Sequence, residues 1–350
     1  MTGDHNASVV VRTRASAYLA LVFGLAAAVV LLWFLYKVMT AVLLLFFALV
    51  VTIALSAPVR WFMRRGLSRK VAAVLSFTLF LGTVVVIVAL VAPRMAAQIV
   101  LLVRELPELI VRFNAQLSSL LARYPELQAV MAADASALNG VVPTPANLLS
   151  GGLGVSLSLL GFIALLVVFL SFVLYALLDP VPILRGYLGS LPSEHRRAGA
   201  RAFARASRAV IGWTKASLIL GIIEAIAVFI FLTIMEVPGA LVWAALAFFA
   251  EFIPRIGGYV MAAPPILISL TLGPMRAVWV AVFYLVSNEI LGNVVAPRIR
   301  GTTMNLHPVL LLFFTVAFAL AFGLLGAIVA TPAAAFFSAY YGEFYLKRRA

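Results

Sequence analysis

Cysteine is absent from the 350-residue chain, so neither disulfides nor thiolate chemistry can enter its function. Histidine occurs three times, at His5, His195 and His307, with no HExxH pair and no carboxylate cluster to complete a metal site. Aspartate stands only at Asp4, Asp134 and Asp179, outside the apolar runs, whereas an intramembrane aspartyl protease needs paired aspartates. A Gly-rich phosphate loop is missing too, which excludes an ATP-driven pump of that kind. The sequence therefore implies no enzyme and no cofactor. Charge of either sign is scarce, at 11% of residues against about a quarter in soluble domains.

What fills the chain instead is apolar. Hydrophobic residues make up 65% of it and the mean hydropathy is +1.14, which marks an integral membrane protein. Six runs are long enough for a helical crossing of about 20 residues: 17–36, 38–57, 71–92, 153–178, 216–235 and 276–296. Barrel strands would alternate apolar and polar at shorter length, so the fold class is all-α and polytopic. The first run is too long for a signal-peptide core and a second follows Lys37, so it reads as a span rather than a cleaved leader.

The net charge of +14 orients the chain rather than marking a nucleic-acid partner. Arg60, Arg64, Arg65, Arg69 and Lys70 crowd one loop without an acid, and 179–215 carries seven Lys or Arg against two acids. By contrast, 93–152 balances four arginines with four acids. The expected order is then three helices in 1–92, an external segment at 93–152, a fourth helix at 153–178, a basic cytoplasmic segment at 179–215 and a core at 216–350. Both termini fall in the cytoplasm. In the external segment Ile99, Leu102, Leu106, Leu109, Phe113, Leu117 and Leu120 describe one apolar helix face, with Pro107 starting or kinking the helix. That face suits either a neighbouring subunit or the chain's own membrane domain. Arg197, Arg201, Arg205 and Arg208 share another face, fit for an anionic lipid surface.

The core breaks its own helices. In "EFIPRIGGYVMAAPP" the pieces 241–251 and 258–272 are each short for ~30 Å of hydrocarbon. The region 306–345 is too long for one span and is interrupted at "FGLLG". Both read as broken or re-entrant hairpins, at 240–273 and 306–345, since irregular backbone at membrane depth must be buried in protein or line an aqueous cavity. They also match each other: Gly258 precedes Pro264 by six residues in "GYVMAAP", as Gly326 precedes Pro332 in "GAIVATP". Paired Gly/Pro-interrupted segments point to a transporter's substrate site. The expected hinge set is Pro254, Gly257, Gly258, Pro264, Gly323, Gly326 and Pro332.

Intramembrane polar groups are costly and so become candidates for binding. These are Glu224 in the fifth span, Glu251 and Arg255 at the first break, and Glu289 with Asn288 and Asn293 in the sixth. Glu289 and Asn293, four residues apart, share a helical face. Glu251 and Arg255 can serve either as an ion pair holding the turn or as a gate or substrate contact.

The stretch "FIPRIGGYVMAAPPILISL" resembles the P-x-x-G…P element of the AI-2E (autoinducer-2 exporter) family, and "NEILGNVVAPRIRGTTMNLHPVLLLFF" with "FGLLGAIVATPAAA" resembles its second characteristic stretch. The resemblance implies a homo-oligomeric transporter of the bacterial inner membrane. It would act by alternating access on a small polar metabolite such as autoinducer-2, with sodium or protons as the other candidate cargo. A passive channel or oligomeric scaffold is the reading from a different class. Two positions depart from the family pattern: Arg255 stands where an aromatic or apolar residue is common, and Ser217 where glutamine is common. The particular substrate is therefore not implied.

Overall fold

The computed structural model describes residues 4–121, 155–300 and 308–345. Every regular element among them is helical. In chain order these are α1 (Asp4–Arg64), α2 (Arg69–Leu121), α3 (Val155–Leu178), α4 (Val181–Gly189), α5 (Arg196–Ile234), α6 (Ala240–Ala250), α7 (Gly257–Leu272), α8 (Pro274–Ile290), α9 (Ala296–Arg300) and α10 (Pro308–Phe344). A π-helical turn, Leu291–Val295, joins α8 to α9. Among the described residues six stretches are long and apolar enough to cross a membrane: Ala41–Arg64, Arg69–Gln98, Gly161–Leu178, Ser193–Ile234, Pro274–Ile299 and Val309–Phe344.

Two units make up the chain, residues 1–49 and 50–350. The first is the N-terminal part of α1, where Phe23–Leu35 is apolar and exposed. The expected turn at Lys37 does not form: α1 passes through it as regular helix. Neither glycine nor proline stands there, and a single lysine costs a helix nothing in propensity. Likewise α2 runs through Pro107 instead of starting there and absorbs the amphipathic segment as far as Leu121. The loop-like stretch 139–152 and the termini's last residues lie outside the described residues.

In the second unit the broken regions take the form the sequence suggests. Helix α6, of 11 residues, rises only about 16 Å, and α7, of 16, about 24 Å. Between them Glu251–Ile256 is non-helical, with Arg255 at φ 68°. In α10 the break is Gly323, at φ 63° and ψ −147°, a conformation that glycine alone adopts without strain. The two arms of α10 fold back on each other. The rings of Phe314 and Phe337 lie 5.6 Å apart, whereas a straight helix would separate residues 23 positions apart by about 34 Å. The last of the six long apolar stretches is therefore a hairpin.

Glycine marks both breaks, and proline, as Pro254, marks the first. A Cβ on Gly257 would strike the Ala250 carbonyl, and one on Gly326 the Phe318 carbonyl. Pro264 and Pro332, expected at the hinges, instead sit inside the second arms, α7 and the second half of α10. Membrane helices tolerate proline because neighbouring groups satisfy the freed carbonyls.

A buried cluster holds α5, α6, α7 and α8 together: Val228 and Leu232, Trp243, Ala244 and Ala247, Ala262 and Ile268, Val280 and Tyr284. Small residues predominate on α6, letting backbones approach closely. Phe231 of α5 and Phe283 of α8 stack at 4.1 Å with planes 5° apart. At its far end α5 closes with Glu236 in the left-handed region (φ 55°), Val237 N–H bonding back to Leu232 O, and Arg276 bridging to Glu236 at 3.0 Å.

The basic face of α5 is only partly free for lipid. Arg201 Nε lies 3.0 Å and Arg205 3.8 Å from the carboxylate of Glu343, near the end of α10. Arg197 and Arg208 remain exposed. Beside this clamp the Tyr340 hydroxyl donates to Tyr187 Oη of α4 at 2.6 Å. The part of the basic segment from Arg196 on and the fifth span are moreover one continuous helix of 39 residues.

Candidate functional site

Three pieces of backbone meet at the first break. The tip Glu251–Ile256 reaches the α5 segment from Trp213 to Gly221: the Trp213 and Phe252 rings stand 5.7 Å apart, and Gly221 has no room for a Cβ beside Phe248. The π turn packs on the same segment, through Leu291 and Ala296 against Leu220. The start of α7 closes over α8, where Gly258 leaves space that the Asn288 amide fills.

These contacts frame a small, partly open cavity of ≈ 60 Å³ lined by Glu251, Arg255, Tyr259, Asn288, Glu289 and Asn293, among others. At about 30 Å³ per water in the liquid, it holds about two waters or one ion. Five of the six polar candidates from the sequence thus face one space. Glu289 is its centre. The Tyr259 hydroxyl donates to Oε1 at 2.7 Å, and the Asn293 amide donates to Oε2. Both carboxyl oxygens thus accept a hydrogen bond. Asn288 donates from Nδ2 to the Tyr284 carbonyl at 2.8 Å, which leaves its Oδ1 toward Gly258.

Asn293 reaches Glu289 at the i,i+4 spacing that a regular helix also brings together, and does so from within the π turn. One extra residue per turn rotates the helix beyond it, and such turns recur at functional positions in membrane and soluble helices alike. Tyr259 is the site residue that sequence spacing missed, because its partner lies thirty positions away on another helix. Arg255 combines a charged side chain with a left-handed backbone that costs a non-glycine residue about 1–2 kcal/mol. Strain of this sort concentrates at functional sites.

Glu224 stands apart. It is 2% exposed within α5, and Ser287 Oγ of α8 donates to its Oε2 at 2.6 Å. Of the hinge candidates, Gly257, Gly258, Gly323, Gly326 and Pro254 lie at or beside the breaks. Among the described residues no group of three His, Cys, Asp or Glu could hold a metal ion. A larger groove of ≈ 440 Å³ between α5 and α8, lined by Phe231, Trp279 and Phe283, is almost wholly apolar and suits acyl chains rather than a polar cargo.

The pattern of an AI-2E family transporter matches residues 20–345, nearly the whole chain. The chain belongs to the AI-2E family. A Mycobacterium tuberculosis relative, assigned to transport provisionally and without a substrate, is 29% identical over 334 residues, covering 95% of this chain and 90% of its own. YhhT of Escherichia coli K12, named in the same provisional way, is 27% identical over 318 residues, covering 88% and 86%. The AI-2 transport protein TqsA of Escherichia coli K12 is 28% identical over 298 residues, covering 83% and 81%. Family and relatives are transport proteins by name, not enzymes, and this AI-2E protein is a multi-pass protein of the bacterial inner membrane.

Proposed function

We propose that this protein is a gradient-driven secondary transporter that exports a small polar metabolite of the autoinducer-2 kind by alternating access. One observation carries the reading: the first hairpin tip, the start of α7 and the π turn bring Glu251, Arg255, Tyr259, Asn288, Glu289 and Asn293 around one cavity. Such a set offers a neutral polyhydroxylated cargo both acceptors and donors. Small-molecule sites usually span about 300–1,000 Å³, far more than this cavity has, so the cargo enters only when the hairpin and α8 part. That requirement is what an alternating-access cycle supplies. The family membership and the name of the 28%-identical relative support the substrate class.

The small volume favours a second reading, sodium/proton antiport, in which Glu289 exchanges one ion for the other. The arginine-rich segments support cytoplasmic termini under either reading, and a homo-oligomer is the expected assembly. Flux into proteoliposomes separates the possibilities. Labelled autoinducer-2 should move in wild type under an imposed gradient and fall at least about tenfold in Glu289→Gln and Tyr259→Phe, a loss of about 1.4 kcal/mol or more in transition-state stabilisation. Normal metabolite flux in both variants would sink the site assignment. Gradient-coupled proton movement without metabolite flux establishes the antiporter, and gradient-independent leak a channel.

A further inference from the structure

Among the described residues the carboxyl of Glu224 is the most deeply buried acid, and half of it is unsatisfied. Only Oε2 is bonded, by Ser287; Oε1 is fully enclosed and has no hydrogen-bond partner. Beside it the Tyr284 hydroxyl is also enclosed and unpartnered, in a side chain 2% exposed. Among the described residues no ion pair reaches Glu224. A bare carboxylate in such a place costs several kcal/mol, so the group must carry a neutralising partner for part of its working life.

The surrounding helices narrow down what that partner is. From α8, Tyr284 faces Glu224, whereas Glu289 on the same helix is taken up by Tyr259 and Asn293. At the end of α6, Glu251 and Arg255 line the separate cavity. In α9 Arg298 is exposed, and in α10 Glu343 is engaged by Arg201 and Arg205 at the other end of α5. On α5 itself the nearest charge is Lys215, nine residues away and so about 13 Å along the axis. One carboxyl with two hydroxyls falls short of the six or so oxygens that a dehydrated metal cation asks for. A proton needs only the carboxyl.

Register ties this group to the cargo cavity. Glu224 meets Ser287, and one turn away Leu220 meets Leu291, the first residue of the π turn. Ser287 is two positions before Glu289. A change at Glu224 therefore acts on the last turn of α8, whose other face carries Asn288 and Glu289.

We propose that Glu224 is a proton-carrying site of the transport cycle, separate from the cargo cavity and coupled to it through Ser287 and the π turn. Loss of the proton exposes Oε1 as an unpaired charge, tightens or breaks the Ser287 bond and shifts α8 relative to α5; regaining it resets the contact. The proposal rests on the transport reading given above, and two measurements keep their fates apart. Infrared difference spectra of the full-length protein in liposomes, cycled between acidic and alkaline buffer, should contain a protonated-carboxyl stretch that Glu224→Gln removes and Glu289→Gln retains. Ser287→Ala, which leaves the carboxyl in place, should move the pH at which that band titrates. In proteoliposomes, outward flux of labelled autoinducer-2 should rise with an imposed proton gradient in wild type and lose that response in Glu224→Gln. A spectrum unchanged by Glu224→Gln overturns the proposal, as does a flux that Glu224→Gln leaves responsive to protons or that follows a sodium gradient alone. Wild type that carries no autoinducer-2 while the Glu224 band still titrates upholds the proton site and refutes the substrate.

Discussion

The two hairpins stand or fall on close approach at one glycine each, and alanine at those positions measures it. At Gly257 a methyl group would meet the carbonyl of Ala250, and at Gly326 that of Phe318. Both obstacles are backbone, so relief requires the arms to separate. Overpacking of this kind costs about 1–3 kcal/mol, and the helix preference of alanine over glycine returns about 1. The expected net loss is about 0–2 kcal/mol. At Gly258 the obstacle is the Asn288 side-chain amide, which can rotate at the cost of its bond to the Tyr284 carbonyl, about 1 kcal/mol. Gly161 in α3 has nothing within 4 Å, so alanine there should be neutral or slightly stabilising. For a chain of this size 1 kcal/mol moves Tm by about 2 °C, so Gly257→Ala and Gly326→Ala should melt up to about 4 °C below wild type and about 2–6 °C below Gly161→Ala, which gains the helix preference without the clash. Gly258→Ala should fall between them and Gly161→Ala, with a larger effect on flux than on melting because it displaces Asn288. Scanning fluorimetry in detergent, checked for monodispersity, reads the order. If Gly257→Ala and Gly326→Ala melt with Gly161→Ala, the hairpins do not depend on those contacts and the argument fails.

Two further substitutions test the strain and the clamp. Arg255→Gly removes a left-handed cost of about 1–2 kcal/mol and adds about 0.5–1 in unfolded-chain entropy, so Tm should hold or rise slightly while flux drops; a drop in Tm would show that the guanidinium holds the turn. Glu343→Gln should cost about 1 kcal/mol, the low end for charge-assisted bonds because both arginines are more than half exposed. A double-mutant cycle with Arg201→Ala in thermal melts should return a coupling of about 0.5–1 kcal/mol, and strict additivity would show that the pair contributes nothing.

Much of this was legible in the residues. The arms of the first hairpin, expected at 241–251 and 258–272, form at Ala240–Ala250 and Gly257–Leu272, because glycines and charges interrupt an otherwise continuous apolar run. Proline was a weaker guide to the breaks: Pro254 lies at the first, whereas Pro264 and Pro332 sit within the second arms, where membrane packing overrides the breaking tendency that rules surface helices, and Pro107 sits within α2, which the expected kink allows. Lys37 misled for a different reason: charge ends a hydropathy run without ending a helix. What stayed hidden are pairings between distant positions. Tyr259 with Glu289 and Arg201 with Glu343 are separated by 30 and 142 residues, and periodicity along one element carries no information about which elements meet. The arginine stripe on α5 was visible, but its acidic partner was not.

The hairpins share a plan but not a chemistry. Each has a short first arm, one left-handed residue at the break, a glycine in close contact and a proline within the second arm. At the left-handed position the second hairpin uses Gly323, which bears no strain and no side chain, inside the wholly apolar "FGLLG". The first uses Arg255, strained and charged, between Glu251 and Tyr259. A glycine would have served the turn equally well, as Gly323 does. Under the transport proposed above, the arginine answers to the cavity rather than to the turn, and the polar work of the pair falls to the first hairpin, with the second as its apolar counterpart.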